Sequence, residues 1–340
     1  MSEVINKNVS YSKKDLQSST SIKWCPGCGD YSVYNAVINA FTQLNTLREN
    51  FLVVSGIGCS SRFPYYCQTY GFHTIHGRAP TVAMGAKLTN PDLSVWIVTG
   101  DGDGLSIGGN HFMHIVRRNP DIKILLFNNE IYGLTKGQFS PTSKVGLKTK
   151  TSPMGSIERP INALHLAFTM GATFIARVVA TDVKHMQKVI VEAGRHKGIA
   201  VIEIFTNCII FNDDTFYPFE AKSIRNDNII FMENEQPLIY GKNNDKGLTL
   251  KDLSIKKVNI DDVDNKNILT HNTDGDNSTM QYLLLQLEYP NFPLPVGIFR
   301  KTEESTFDDT LRSHEKIAKE NAKIKTLKDL MYSGDIWTVK

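Results

Sequence analysis

Apolar residues along this chain fall into short runs separated by stretches of helical periodicity. Val33, Val37, Phe41 and Leu44 recur on one face of a helix that Asp30 can open. Residues 51–55 (FLVVS) form a continuous apolar run and predict a buried strand that ends at Gly56, Gly58 and Cys59. The same alternation continues with a helix over 81–88, a strand over 93–99, a helix over 111–118 and a strand over 122–127 that ends at Asn128 and Asn129. A polar loop over 137–158 follows, then a helix over 161–170, a strand over 173–179, a helix over 183–193 and a strand over 200–205 that leads to Cys208. Helices alternating with short apolar strands predict an α/β fold, a doubly wound parallel sheet.

The pattern changes beyond residue 212. Residues 242–279 are rich in Asn, Asp and Lys and carry little periodicity, which predicts a long surface arm or a partly mobile linker. Residues 306–331 predict a closing amphipathic helix with Leu311, Ile317, Ile324 and Leu327 on its apolar side. The expected organisation is a polar arm over 1–20, a main domain over 21–225, and a C-terminal arm and helix over 226–340 that serve as a subunit contact.

Of the 340 residues, 41% are hydrophobic and 21% charged, enough for a packed core. A net charge of +3 lacks the basic excess of a nucleic-acid-binding protein. Residues 1–20 have no apolar segment of the secretory type, and no apolar run approaches the ~18 residues a membrane span needs. An odd count of five cysteines, with no export signal, points to metal ligands or free thiols in a reducing, cytoplasmic setting.

Asp101 sits in a Gly-rich turn after one expected strand, and Asn129 ends the next. Parallel crossovers are right-handed, so both side chains reach the edge where open α/β sheets bind ligands. Carboxylate and amide oxygens suit Mg²⁺, and Gly100, Gly102 and Gly104 let backbone approach a diphosphate. Asp103 offers the same chemistry two residues on. Cys25 and Cys28 form a C-x₂-C pair in WCPGCG, and Cys59 and Cys208 each follow a strand, so four thiols can converge on that same edge. Spacing alone leaves zinc and a cubane cluster both open. Cys67 has no partner in this set and reads as a small buried hydrophobe. His111 and His114, three apart on a helix, lack a carboxylate to complete a metal set.

Gly100-Asp101-Gly102, 25 further residues and then Asn128-Asn129 resemble the diphosphate motif of thiamin-dependent enzymes. That resemblance implies Asp101, Asn129 and the Ile131 carbonyl as Mg²⁺ ligands. The ordered segments WCPGCGD, GIGCSSR, GFHTIHGRA, TGDGDGLSIGGNH and NNEIYGLTKGQFSPTS, over roughly 20–225, resemble the β subunit of 2-oxoacid:ferredoxin oxidoreductases. The family implies thiamin diphosphate, Mg²⁺ and a [4Fe–4S] cluster on Cys25, Cys28, Cys59 and Cys208. Phe205-Thr206-Asn207-Cys208 departs from the Pro-Cys usual at the last position.

The cofactor contacts expected on this basis are Ser60, Ser61, His76, Gly77, Arg78, Gly100, Gly102, Asp103, Gly104, Tyr132, Gly133 and Leu134. Arg62, His76 and Lys136 are the catalytic candidates, with His73 and Gln138 beside them, and Leu134 and Lys136 shape substrate choice. The implied reaction joins a 2-oxoacid, coenzyme A and oxidised ferredoxin to give acyl-CoA, carbon dioxide and reduced ferredoxin. 2-Oxoglutarate is the favoured substrate, with pyruvate and other 2-oxoacids as alternatives. The carboxylate that thiamin's aminopyrimidine needs is expected on an α, or fused γα, partner subunit, in a heterodimer or a dimer of heterodimers. Two rival readings are a cluster-free thiamin enzyme and a non-catalytic electron-transfer module.

Overall fold

A computed structural model of the chain describes residues 9–339. Eleven strands are found among them: β1 Phe51–Ser55, β2 Tyr70–His73, β3 Ser94–Gly100, β4 Ile122–Asn128, β5 Phe174–Val179, β6 Ala200–Phe205, β7 Ile229–Met232, β8 Ile239–Tyr240, β9 Lys246–Lys251, β10 Ser254–Asn259 and β11 Leu294–Lys301. Eight of them form one sheet in the order β2-β1-β3-β4-β6-β5-β11-β7. The six strands from β2 to β5 run parallel, while β11 pairs with β5 antiparallel and with β7 in parallel.

Every residue of β1, β4, β5 and β6 is buried, as strands covered on both faces require. Alternate side chains feed two separate cores. Phe51, Val53, Trp96 and Phe127 pack with helices Asp30–Phe41 and Val183–Arg195. Leu52, Val54, Ile97 and Ile124 pack with helices Ala79–Thr89, Gly109–Arg118 and Ala163–Thr169. Each large apolar side chain fully buried this way contributes about 1.5–3 kcal/mol. The doubly wound sheet expected from the alternation is what the chain adopts.

The structure departs from the expected organisation at both ends. Leu16, in a short 3-10 turn, is fully buried, and Gln17 bridges to Cys67, so the later part of the polar arm is docked on the core. Residues 1–8 of that arm lie outside the described residues. The sheet does not stop at residue 225, because β7 and β11 complete its far edge. The segment taken as an arm or linker carries β9 and β10, which form an antiparallel sheet with β8 just before it, and Leu248 and Ile255 are buried. Its strands hide in a polar composition because only a few positions face the core. The closing helix is two, Phe307–Asn321 and Leu327–Met331, separated by extended backbone at Ala322. Ile317 and Leu327 on its apolar side are 51% and 73% exposed. Among the described residues no helix is long and apolar enough to cross a membrane.

Candidate functional site

Strands β1, β3, β4 and β6 are parallel neighbours, so the segments leaving their carboxyl ends meet along one edge. Those segments carry Cys59, Asp101, Asn129 and Cys208 in turn. A pocket opens there, lined by Asp101, Asp103, Asn129 and Ile131 together with Cys59 and His76. Ser60, Gly100, Gly102, Tyr132, Gly133 and Leu134 also line it, as does buried Asp30.

Asp101 is 2% exposed, and burial pushes its carboxyl up to about 6. Two hydroxyls oppose that rise, since Ser140 Oγ and Thr142 Oγ1 reach Asp101 Oδ2 at 2.5 and 2.6 Å. Thr142 Oγ1 also lies 2.9 Å from Asn128 Oδ1. Asn128 Nδ2 donates to Glu203 Oε1 at 2.8 Å, and Glu203 Oε2 accepts from Arg177 Nε at 2.7 Å. A buried polar chain thus runs under the pocket from Arg177 to Asp101. Ser140 and Thr142 were given no role from the sequence, where the run Ser140-Pro141-Thr142-Ser143 reads as an ordinary polar loop.

Asp103 behaves differently from Asp101. Its Oδ1 accepts from the backbone N–H of Gly77 at 2.7 Å and of Ile57 at 3.0 Å, and lies 2.6 Å from His76 Nδ1. Thr99 Oγ1 donates to Oδ2 at 2.6 Å. A Cβ added at Gly56 would stand 1.8 Å from Asp103 Oδ2, so only glycine lets the carboxylate settle there. Asp103 ties the loops after β1, β2 and β3 together with its acceptor positions already filled.

Three loops bring the thiols near one another. Cys28 N donates to Cys25 O at 3.0 Å in a tight turn, and Gly29 N donates to Asn207 O at 3.3 Å. Trp24 Nε1 donates to Cys59 O at 2.7 Å. A Cβ at Gly133 would meet Cys208 Sγ at 3.4 Å and Cys59 Sγ at 3.6 Å. Burial pushes the Cys59 thiol up to about 12 and Cys28 higher still, and the Asp30 carboxylate, then neighbouring thiols, add to both. Buried Asp30 stands beside them, its carboxyl pushed up to about 7 by burial. Thiols in this state become thiolates when a metal centre compensates the charge. Among the described residues no three His, Cys, Asp or Glu side chains gather closely enough for a single metal ion. A lone zinc needs each sulfur ~2.3 Å from one point, whereas each thiolate of a cubane binds its own iron.

The donor set for a diphosphate and a hard cation can be tested in the same way. Only Oδ2 of Asp101 is engaged by side-chain donors. Asn129 Oδ1 meets Ile131 N at 3.2 Å, and among the described residues no donor pairs with the Ile131 carbonyl. Gly58 has φ +136°, and a Cβ there would meet nothing within 4 Å, which leaves open space against bare backbone. These oxygens and this cradle fit Mg²⁺ and a diphosphate.

The remaining expected residues lie around this centre. Ser61 is fully buried with an unpaired hydroxyl, and it does not line the pocket. Arg62 ends the same turn, half-buried, and its charge acts on Cys59. Gly77 is buried and Gly104 packs against Thr99. Arg78 is exposed at the start of helix Ala79–Thr89. Lys136 is exposed in left-handed backbone at φ 78° and lies outside the pocket wall. Gln138 is held within its own turn by Thr135. His73 pairs with Tyr65 at 3.0 Å, away from the pocket wall. Cys67 is buried, as read from the sequence.

Residues 56–204 match the family described as the C-terminal TPP binding domain of thiamine pyrophosphate enzymes. The chain is 44% identical over 329 residues to the 2-oxoglutarate oxidoreductase subunit KorB of Mycobacterium tuberculosis, which covers 96% of this chain and 88% of that one. It is 46% identical over 192 residues to a 2-oxoacid:ferredoxin oxidoreductase subunit beta of Saccharolobus solfataricus, spanning 56% of this chain and 63% of that one. Its fold superposes with a TM-score of 0.76 on the 2-oxoglutarate:ferredoxin oxidoreductase of Magnetococcus marinus, solved with 2-oxoglutarate, coenzyme A and succinyl-CoA bound, at 31% identity and 97% coverage of both chains.

Proposed function

Because the chain belongs to the β-subunit family of the 2-oxoacid:ferredoxin oxidoreductases, we propose that it is the thiamin-diphosphate- and cluster-bearing subunit of an enzyme that converts 2-oxoglutarate and coenzyme A to succinyl-CoA and carbon dioxide while reducing ferredoxin. One observation carries the reading. Asp101, Asn129 and the thiols of Cys59 and Cys208 all leave adjacent parallel strands at the same end of one sheet. When bound, thiamin diphosphate supplies the nucleophilic carbon and an iron–sulfur cluster the one-electron acceptor.

The chain's own residues prepare that edge. Asp101, Asn129 and the Ile131 carbonyl are the proposed Mg²⁺ ligands. Thr142 and Ser140 orient Asp101, and the open backbone at Gly58 admits the diphosphate. Cys25, Cys28, Cys59 and Cys208 are the proposed cluster ligands. Their convergence from three stitched loops supports one shared centre, and relatives named for ferredoxin support a cubane over zinc. Five unpaired thiols support a reducing, cytoplasmic setting.

The site is incomplete alone. Among the described residues that line the pocket, no carboxylate is free to serve an aminopyrimidine, since Asp101 and Asp103 are engaged and Asp30 lies among the thiols. Exposed apolar side chains stand on the segments that carry site residues: Ile75 beside His76, Ile107 after Asp103, Leu134 on the pocket wall and Ile210 after Cys208 are 75%, 62%, 47% and 57% exposed. Such a patch suits a covering subunit, and we assign it to the α, or γα, partner. The substrate assignment follows the relatives that are named for 2-oxoglutarate. Purification with the partner subunit and a panel of 2-oxoacids tests it. Coenzyme A-dependent dye reduction is expected to be fastest with 2-oxoglutarate, and preference for pyruvate would replace that substrate. Full activity of this chain alone would refute the split site.

A further inference from the structure

We propose that Asp103 is a positioning residue that fixes His76 with its proton on Nδ1 and its bare Nε2 toward the pocket, where His76 accepts the thiol proton of coenzyme A. The inference rests on the functional reading above. It starts from the hydrogen bonds of one oxygen. Asp103 Oδ1 receives two backbone N–H groups, from Gly77 at 2.7 Å and Ile57 at 3.0 Å, and these can only donate. Oδ2 receives the Thr99 hydroxyl at 2.6 Å. A carboxyl surrounded in this way is an acceptor, so the contact of 2.6 Å to His76 Nδ1 requires that nitrogen to be the donor. The neutral ring then carries its lone pair on Nε2. His76 lines the pocket with its side chain 37% exposed, whereas Asp103 is 2% exposed. A buried acid that orients an imidazole is the arrangement of hydrolase triads, reached here on a different fold.

The chemistry needs such a group. A 2-oxoacid anion, coenzyme A and two oxidised ferredoxins yield acyl-CoA, carbon dioxide, two reduced ferredoxins and one proton. That proton comes from the thiol. Its S–H bond breaks, the proton moves to His76 Nε2, and the sulfur pair becomes the C–S bond of the thioester. Two electrons from the cleaved carbon–carbon bond leave singly to ferredoxin. The other titratable groups lining the pocket are Asp30, Cys59, Asp101, Asp103 and Tyr132, with Arg78 on the same loop as His76. Asp101 and Cys59 are committed to the proposed metal centres, Asp103 is saturated, Asp30 lies buried among the thiols, and Tyr132 donates to Gly102 O at 3.0 Å.

The test uses the complex with its partner subunit. Coenzyme A-dependent turnover is compared with coenzyme A-independent reduction of the cluster by 2-oxoglutarate, followed by electron paramagnetic resonance. His76→Gln is expected to slow the coenzyme A-dependent step by about 10²–10⁴-fold, well beyond any effect on the first reduction. Asp103→Asn is expected to slow the coenzyme A-dependent step selectively and to release His76 from a single Nδ1–H tautomer, because the acceptor that holds the ring is lost. Nitrogen-15 spectra of the wild-type complex are expected to give the Nδ1–H tautomer for His76, a readout independent of whether Asp103→Asn folds. Equal slowing of both steps by His76→Gln, or an Nε2–H tautomer, would overturn the inference. Absence of coenzyme A-dependent turnover in the wild-type complex would instead defeat the functional reading, so the two failures are distinguishable.

Discussion

Replacing Thr142 by valine removes one hydroxyl while keeping the side chain's shape. In the wild type that hydroxyl lies 2.6 Å from Asp101 Oδ2, and both groups are buried. A hydrogen bond to a charged acceptor in such a place contributes about 1.5–3 kcal/mol. Each 1.36 kcal/mol is about a factor of ten, so full expression in ligand orientation amounts to about 10–100-fold. That matches the usual cost of losing a group that orients a metal ligand. Titration calorimetry of thiamin diphosphate into the metal-saturated complex is expected to give about 10–100-fold weaker binding for Thr142→Val. Thr142→Ser, which keeps the hydroxyl, is expected to bind within a few-fold of wild type. A folded Thr142→Val complex that binds the cofactor as tightly as wild type would refute the role given to the polar chain beneath the pocket.

Three further outcomes are expected. Cys208→Ser should lower the iron and sulfide content of anaerobically purified chain, whereas Cys67→Ser should leave it unchanged and only lower stability, because Cys67 is buried outside the thiol group; iron loss in the second variant alone would reverse the assignment. Glu203→Gln leaves the Arg177 guanidinium, 6% exposed, without its counter-charge, and denaturant unfolding is expected to show a loss of about 3–5 kcal/mol; a loss under about 1 kcal/mol would contradict the buried pair. His196, 6% exposed against Phe174, is held down from 6.5 to about 4, chiefly by burial and then by Lys123. The folded state therefore binds fewer protons than the unfolded one in that window. Stability should be full above pH 6.5 and fall by up to about 3 kcal/mol as pH drops toward 4, and His196→Gln should flatten that fall in unfolding measured across pH.

The sheet was legible wherever strands are buried on both faces. β1, β4 and β6 stand within a residue of their expected bounds, because continuous Val, Ile, Leu and Phe runs have no other use in a chain of this polarity. β2 escaped because it is short, broken by Gly71 and exposed at all four residues, Tyr70 to His73, so it forms no continuous apolar run. β11 escaped for a different reason, since Pro295 and Gly297 interrupt its run. The three strands after residue 238 are hidden by Lys and Asn that face outward. The meeting of Asp101 and Asn129 at one sheet edge was legible from spacing. The contrast between Asp101 and Asp103 was not, because it depends on which backbone N–H groups the fold delivers. Ser140 and Thr142 were equally out of reach, since a hydroxyl acquires a role only from the acceptor placed beside it.

Iron-edge anomalous diffraction from anaerobic crystals of the complex with thiamin diphosphate and Mg²⁺ tests the shared edge most directly. A single iron-rich peak is expected among the sulfurs of Cys25, Cys28, Cys59 and Cys208, with diphosphate density meeting Asp101 and Asn129 at the same end of the sheet. Iron held elsewhere, or a diphosphate that avoids Asp101 and Asn129, would contradict it.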